Sequence, residues 1–345
     1  MPAFASATRL LAAAAMATLV IALSPVAAHA AGPARASRAT ADPPPASHTL
    51  HVGADTRTYL LQPVEDDDRH GRSPHPVLIL LHGGTQSGAA AWRQTHLAAI
   101  ARREGVILVA PDGLGHHWND GRGTTIAGDG ASTADDVGFL RALIAEVVAH
   151  DHGDPGAVFL FGVSNGGFMT MRFACEAGDL LRAAATGLAT LPEAQAAHCP
   201  STRPLPFLVE HGTEDPIVPL AGQPAGRGRF GSPQPAMRSS DDTFAFWADR
   251  ARCAPTATRT PLTRADADPR GRWAERIVRE GCAGGASVEH LVMHGSGHVF
   301  PGLAVQSRLV ERVLGPDASE FDGAEHLWAF FAATLPHRAP GPTPP

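Results

Sequence analysis

Gly162-Val163-Ser164-Asn165-Gly166 stands between the apolar run Ala157 to Phe161 and a segment in which Phe168, Met171 and Cys175 recur at i, i+3 and i+7. Five apolar residues without alternation suit a strand covered on both faces, and the following spacing is one face of a helix. A G-x-S-x-G string at such a junction predicts a turn so sharp that the serine is strained and its hydroxyl projects above the sheet. Glycine is required on both sides because a Cβ would collide within the turn. Ser164 is therefore the candidate nucleophile. A plain turn serine is the competing reading.

Further strands are expected at His48 to Val52, Arg57 to Gln62, Pro76 to Leu81, Val106 to Ala110, Leu205 to Glu210 and Val288 to Met293. The first two read as a hairpin at the sheet edge. Trp92, His96, Leu97, Ile100 and Ala101 follow helical spacing and predict one helix ending at Gly105. Ser132 with Asp135 resembles a capping box ahead of the stripe Leu140, Leu143, Ile144 and Val147. Helices are also expected over Ser240 to Cys253 and Phe321 to Leu335. Strands alternating with helices predict a doubly wound, mostly parallel α/β sheet in a single domain. Gly113 to Thr133 and Gly222 to Ser239 read as irregular loops, the usual bearers of specificity.

A serine hydroxyl attacks only when a base takes its proton and a carboxylate orients that base. In this architecture the partners follow in the order serine, acid, histidine, each past a strand end. Asp215, in the turn Gly212 to Pro216, is the candidate acid, with Glu210, Glu214 and Asp241 as competitors. His298, in a Gly-Ser-Gly loop after the last strand, is the candidate base. His294 is its rival, and His290 is expected on the strand surface. Oxyanion donors are expected from the backbone amide of Asn165 and from the Gly83-Gly84 loop, with Gly84 preferred and Thr85 the alternative. No metal or other cofactor is implied.

The ends of the chain read differently from its body. Arg9, the apolar run Leu10 to Leu23 and Ala28-His29-Ala30 have the pattern of a secretion signal over residues 1–30. Residues 31–47 read as a disordered leader, 48–336 as the domain and 337–345 as a Pro-rich tail. No membrane anchor is expected after cleavage. A formal net charge of -6 with short basic clusters gives no footprint for nucleic acid. Glu65 to Asp68 reads as a solvated acidic loop. An exported chain with four cysteines, Cys175, Cys199, Cys253 and Cys282, is expected to form two disulfides. Sequential pairing is favoured because each bridge closes a loop of moderate length. A metal quartet, which lacks a C-x-x-C pair, is the rival.

The segments LLHGGTQSG, WNDGR, DDVGFLRALI, GVSNGGFMTMRFACE, HGTEDPIVP and GSGHVFPG, in this order, resemble the secreted esterases grouped with polyhydroxybutyrate depolymerases, feruloyl esterases and acetylxylan esterases. The resemblance runs from about Tyr59 to Trp328. It implies an α/β-hydrolase fold, Ser164 as nucleophile, Asp215 as acid and His298 as base, and it places Trp118 near the substrate. Phe300 stands where that family often has Trp. Only a short tail follows the last expected helix, which makes soluble esters or oligomers the expected substrates. A serine peptidase on the same fold and a non-catalytic polymer-binding protein are the alternatives.

Overall fold

The computed structural model describes residues 45–64, 74–125, 132–228, 231–302, 307–317 and 321–336. The expected signal peptide, nearly all of the leader, the acidic run Glu65 to Asp68 and the tail 337–345 lie outside the described residues. In chain order come β1 (Ala46–Val52), β2 (Asp55–Gln62), β3 (His75–Leu81), α1 (Gly88–Thr95), α2 (Leu97–Glu104), β4 (Ile107–Pro111), α3 (Asp136–His150), β5 (Gly153–Val163) and α4 (Asn165–Ala177). Then follow β6 (Ala183–Gly187), α5 (Glu193–Ala197), β7 (Phe207–Gly212), β8 (Gly226–Arg227), β9 (Pro233–Gln234), α6 (Ser240–Arg250), β10 (Ala257–Pro261), β11 (Trp273–Arg279), β12 (Val288–His294), α7 (Arg308–Leu314) and α8 (Gly323–Ala332).

Among the described residues the main sheet has ten strands in the order β1-β2-β4-β3-β5-β6-β7-β12-β11-β10. The six from β4 to β12 pair in parallel, while β2 joins β4, and β10 and β11 join β12, in antiparallel register. Strand order reverses between β3 and β5, so the loops after these two strands part to opposite sides. The crevice at such a point is where open α/β sheets bind ligands.

Both faces of the sheet are covered, which is why its strands show unbroken apolar runs. Val158 and Leu160 pack with Leu143, Phe168 and Met171 under α3 and α4, whereas Phe159 and Phe161 point to the other face. There Phe159 stacks on Phe331 of α8, with ring centroids 4.7 Å apart. Each such phenyl ring, wholly removed from water, stabilises the fold by about 2 to 3 kcal/mol.

Several local expectations are corrected. One helix was expected from Trp92 to Gly105, but His96 takes φ 58°, ending α1 and starting α2. The cap of α3 is Asp135 itself, accepting from the Gly138 amide, while the Ser132 hydroxyl accepts from Ala134 N. β1 starts at Ala46, two residues before the His48 expected for that strand. Within the irregular segment 222–239, β8 and β9 form a small antiparallel pair. The ends of that segment are stapled together, since Gln223 and Met237 exchange backbone hydrogen bonds of 3.0 and 2.8 Å and the Ser240 amide donates to Leu220 O.

The disulfides are Cys175–Cys199 and Cys253–Cys282, the sequential pairing. The first ties the end of α4 to the segment after α5. Replacing both Cys175 and Cys199 with Ala is expected to cost about 2 to 4 kcal/mol in urea unfolding. An unchanged midpoint would show that packing alone holds the end of α4.

Candidate active site

β5 delivers Ser164 into a turn where its backbone sits at φ 55°, ψ −117°. A non-glycine residue held there costs on the order of 1 to 3 kcal/mol. The neighbouring glycines permit it: a Cβ on Gly162 would lie 2.2 Å from Gly166 O, and one on Gly166 would lie 2.4 Å from Leu81 O. The Ser164 amide donates to Gly187 O at the end of β6, so the strained turn is tied into the sheet at 2.8 Å.

Asp215 follows β7 and His298 follows β12, the adjacent strand, and the loop geometry brings them together. His298 Nδ1 lies 2.7 Å from Asp215 Oδ2. The other carboxylate oxygen accepts from the amides of Ile217 (2.8 Å) and Val218 (2.9 Å), so the acid is fixed at both ends. Burial pushes the Asp215 carboxyl up. The close imidazoles of His298 and His211 and the Val218 amide outweigh burial and hold it below its ordinary value. An ionised Asp215 keeps the Nδ1–H of His298 directed at it and leaves Nε2 as the basic nitrogen.

His211, the first residue of HGTEDPIVP and given no role from the sequence alone, is buried beneath this turn, with Nε2 2.8 Å from Val218 O and 3.5 Å from Asp215 Oδ2. Burial lowers its basicity. The Nε2–H tautomer fits both neighbours, since Val218 O and Asp215 Oδ2 are acceptors.

The residues weighed against Asp215 and His298 lie elsewhere. Glu210 is buried in β7 with no hydrogen-bond partner for either carboxyl oxygen. Glu214 is exposed, and Asp241 is exposed with its Oδ1 3.2 Å from His290 Nδ1. His294 stacks on Trp273. His290, expected on the surface, is fully buried, with its Nε2 2.8 Å from Ser240 Oγ and its ring against Phe244.

In the loop after β3, the Gly83 amide donates to Gln86 Oε1 and the Thr85 amide to His116 O. The Thr85 amide is thereby engaged by the segment after β4. Gly84 lies beside the nucleophile's neighbour, since a Cβ there would stand 3.6 Å from Asn165 Cβ and 3.6 Å from His117 Cδ2. Asn165 opens α4, so its amide is one of those a helix cannot satisfy internally. His82 fixes the base of this loop. Its ring lies 2.7 Å from Gly83 O through Nδ1 and accepts the Gly113 amide at Nε2. Burial pushes its pKa down to about 4, which keeps the imidazole neutral and able to accept that amide.

Trp118, which the resemblance puts near the substrate, packs directly behind the serine turn. It is only 2% exposed, its ring lies tilted against His82 with centroids 4.9 Å apart, and its indole N–H donates to His82 O at 2.9 Å. It supports the loop of Gly83 and Gly84 from beneath. Its backbone is gripped by Asn165, whose Oδ1 accepts from Trp118 N (2.8 Å) and whose Nδ2 donates to Trp118 O (3.2 Å). Beside the Asp215 turn a narrow cleft is lined by Arg122, Phe168, Thr190, Ile217, Gln234 and Met237, among others. Among the described residues no group of three His, Cys, Asp or Glu side chains has the arrangement of a metal site.

Residues 78–340 match the alpha/beta hydrolase family. Over 272 residues the chain is 30% identical to the putative esterase NocK of Nocardia uniformis subsp. tsuyamanensis, covering 77% of this chain and 76% of that protein. Feruloyl esterase B of Piromyces equi is 28% identical over 236 residues, which is 66% of this chain but only 40% of that longer protein. Among solved structures, an acetyl xylan esterase from Aspergillus awamori superimposes with a TM-score of 0.50 at 13% identity, over 77% of this chain and 98% of that one, a likeness of fold. The doubly wound sheet, the strained serine turn at its switch point and the family match agree: this chain belongs to the alpha/beta hydrolase family.

Proposed function

We propose that the protein is a secreted serine carboxylic ester hydrolase of the kind grouped with feruloyl esterases and polyhydroxybutyrate depolymerases. The observation that carries the reading is the part-buried Asp215–His298 hydrogen bond, 2.7 Å long, at the same end of the sheet as strained Ser164. The esterase relatives support the reaction class. Ser164 Oγ attacks the ester carbonyl carbon as His298 Nε2 takes the hydroxyl proton, and Asp215 stabilises the imidazolium. The amides of Asn165 and Gly84 receive the oxyanion. Collapse breaks the C–O bond to the alcohol, which leaves with the proton from His298. Water then attacks the acyl-enzyme by the same proton path and returns free Ser164. No cofactor takes part in these steps. Export rests on the N-terminal signal pattern, and oxidising surroundings suit the two disulfides.

The reading is tested with a panel of p-nitrophenyl acetate and butyrate, methyl ferulate, acetylated xylan and hydroxybutyrate oligomers, alongside peptide anilides. Turnover of one or more esters well above the anilides is the expected result. Preferential anilide cleavage would move the protein to the peptidases, and binding without turnover would make it a polymer-binding protein.

A further inference from the structure

The side chain of Asn165 is held more firmly than the elbow requires. Besides its two bonds to the Trp118 backbone, its Nδ2 donates to Asp120 Oδ2 at 2.6 Å. The same oxygen accepts from Arg122 Nε (2.9 Å) and Nη2 (2.7 Å), and Asp120 Oδ1 accepts the Arg122 amide at 3.0 Å. The Arg122 guanidinium lies 3.7 Å above the ring of Phe168, one turn into α4. Asn165, Asp120 and Phe168 are all buried, and the Arg122 and Asp120 side chains are 5% and 3% exposed. Removing an ion pair from water is costly, and an apolar pair of similar volume is often equally stable or more so. The sharp turn itself is secured by Gly162, Gly166 and the Ser164–Gly187 bond. The ion pair therefore needs another reason to be there.

Asn165 supplies an oxyanion amide, and such a donor acts only when aimed at where charge develops. Its Cα leaves a strained residue, so the peptide plane carrying the amide is not set by ordinary backbone preference. The carboxamide sets it from the side chain. Through Trp118 the same network reaches the second donor loop, because the Trp118 indole bonds to His82 O, directly before Gly83 and Gly84. We propose that Asp120, backed by Arg122, is a positioning residue of the oxyanion site: it locks the Asn165 carboxamide and thereby aims the Asn165 amide. This inference rests on the esterase reading above.

The test uses the full mature chain, p-nitrophenyl acetate and a trifluoromethyl ketone, which forms an oxyanion-bearing adduct with a nucleophilic serine. Asp120→Asn removes the charge and, because both Asp120 oxygens accept, sets its amide donor against either the Arg122 backbone amide or the side-chain donors of Asn165 and Arg122. Asn165→Ala removes the carboxamide but leaves the Asp120–Arg122 pair intact, so it serves if the first variant does not fold. Each is expected to lower kcat by about 10- to 100-fold with KM changed less than about threefold, and to weaken ketone inhibition by a similar factor.

Folded variants with wild-type kcat would overturn the positioning role. So would a loss of kcat without loss of ketone affinity. Absence of ester turnover by the wild type would instead sink the esterase reading itself.

Discussion

Ser164→Ala is expected to lower ester turnover by at least about 10⁴-fold while leaving the free energy of unfolding within roughly 1 kcal/mol of wild type. The first half follows from chemistry. Without Oγ no acyl-enzyme forms, and only the oxyanion donors and substrate binding remain to accelerate attack by water. The second half follows from the structure, since no hydrogen bond among the described residues depends on Ser164 Oγ and alanine occupies the same strained backbone. Strain makes a further distinction. At φ 55° glycine is at ease where serine and alanine are not, so Ser164→Gly is expected to be inactive yet at least as stable as Ser164→Ala. Turnover and urea unfolding of the two variants check this. Residual wild-type activity in either would remove Ser164 from the mechanism.

Glu210→Gln is expected to have little effect on stability near pH 5 and to stabilise the protein by on the order of 4 kcal/mol at pH 8. Glu210 is wholly enclosed in β7, between Gly187 of β6 and Leu291 of β12, and neither carboxyl oxygen has a partner. Burial pushes its pKa up to about 8 from an ordinary 4.5. The folded protein therefore holds this proton where the unfolded chain has released it. The group's contribution is fully present below about pH 4.5 and is lost progressively as pH rises to about 8, at up to about 1.4 kcal/mol per pH unit. Glutamine cannot ionise and escapes that loss. Urea midpoints of both proteins at pH 5, 6, 7 and 8 measure the divergence, and a difference that stays constant across the range would show that the carboxyl is ionised and solvated in the fold.

Where the sequence was readable, a local physical signal matched a local structural need. β5 combines a long apolar run with a glycine-flanked serine, and both follow from a covered central strand ending in a tight turn. Asp215 and His298 could be chosen because the order of the chain limits which strand ends supply the acid and the base. β6 gave no such signal. Its sequence, Ala183-Ala184-Ala185-Thr186-Gly187, is small because α4 lies close against it: a Cβ on Gly167 would stand 2.4 Å from Thr186 Oγ1. Close packing removed the bulky residues by which a strand is recognised.

β10 escaped notice for the opposite reason, since all five of its residues are exposed at the sheet edge. His290 was misplaced because a strand covered on both faces shows no alternation to sort its polar residues, and Ser240 and Phe244, which accept it, come from a distant helix. The Asp120–Arg122 pair sits in a quoted motif, WNDGR. Its link to Asn165 spans 45 residues of chain and exists only in space.

The paired backbone bonds between Gln223 and Met237 and from Ser240 to Leu220 bring the two ends of one segment to a single point on the surface of the fold. Whatever lies between those ends, the strands carrying Ser164, Asp215 and His298 see the same entry and exit. Lengthening such an excursion costs only the slow logarithm of loop closure. This stretch therefore behaves as an interchangeable cassette, and it contributes Gln234 and Met237 to the wall of the cleft. Descendants of this chain could acquire new ester preferences by rewriting one contiguous piece of gene while the reaction centre is inherited intact.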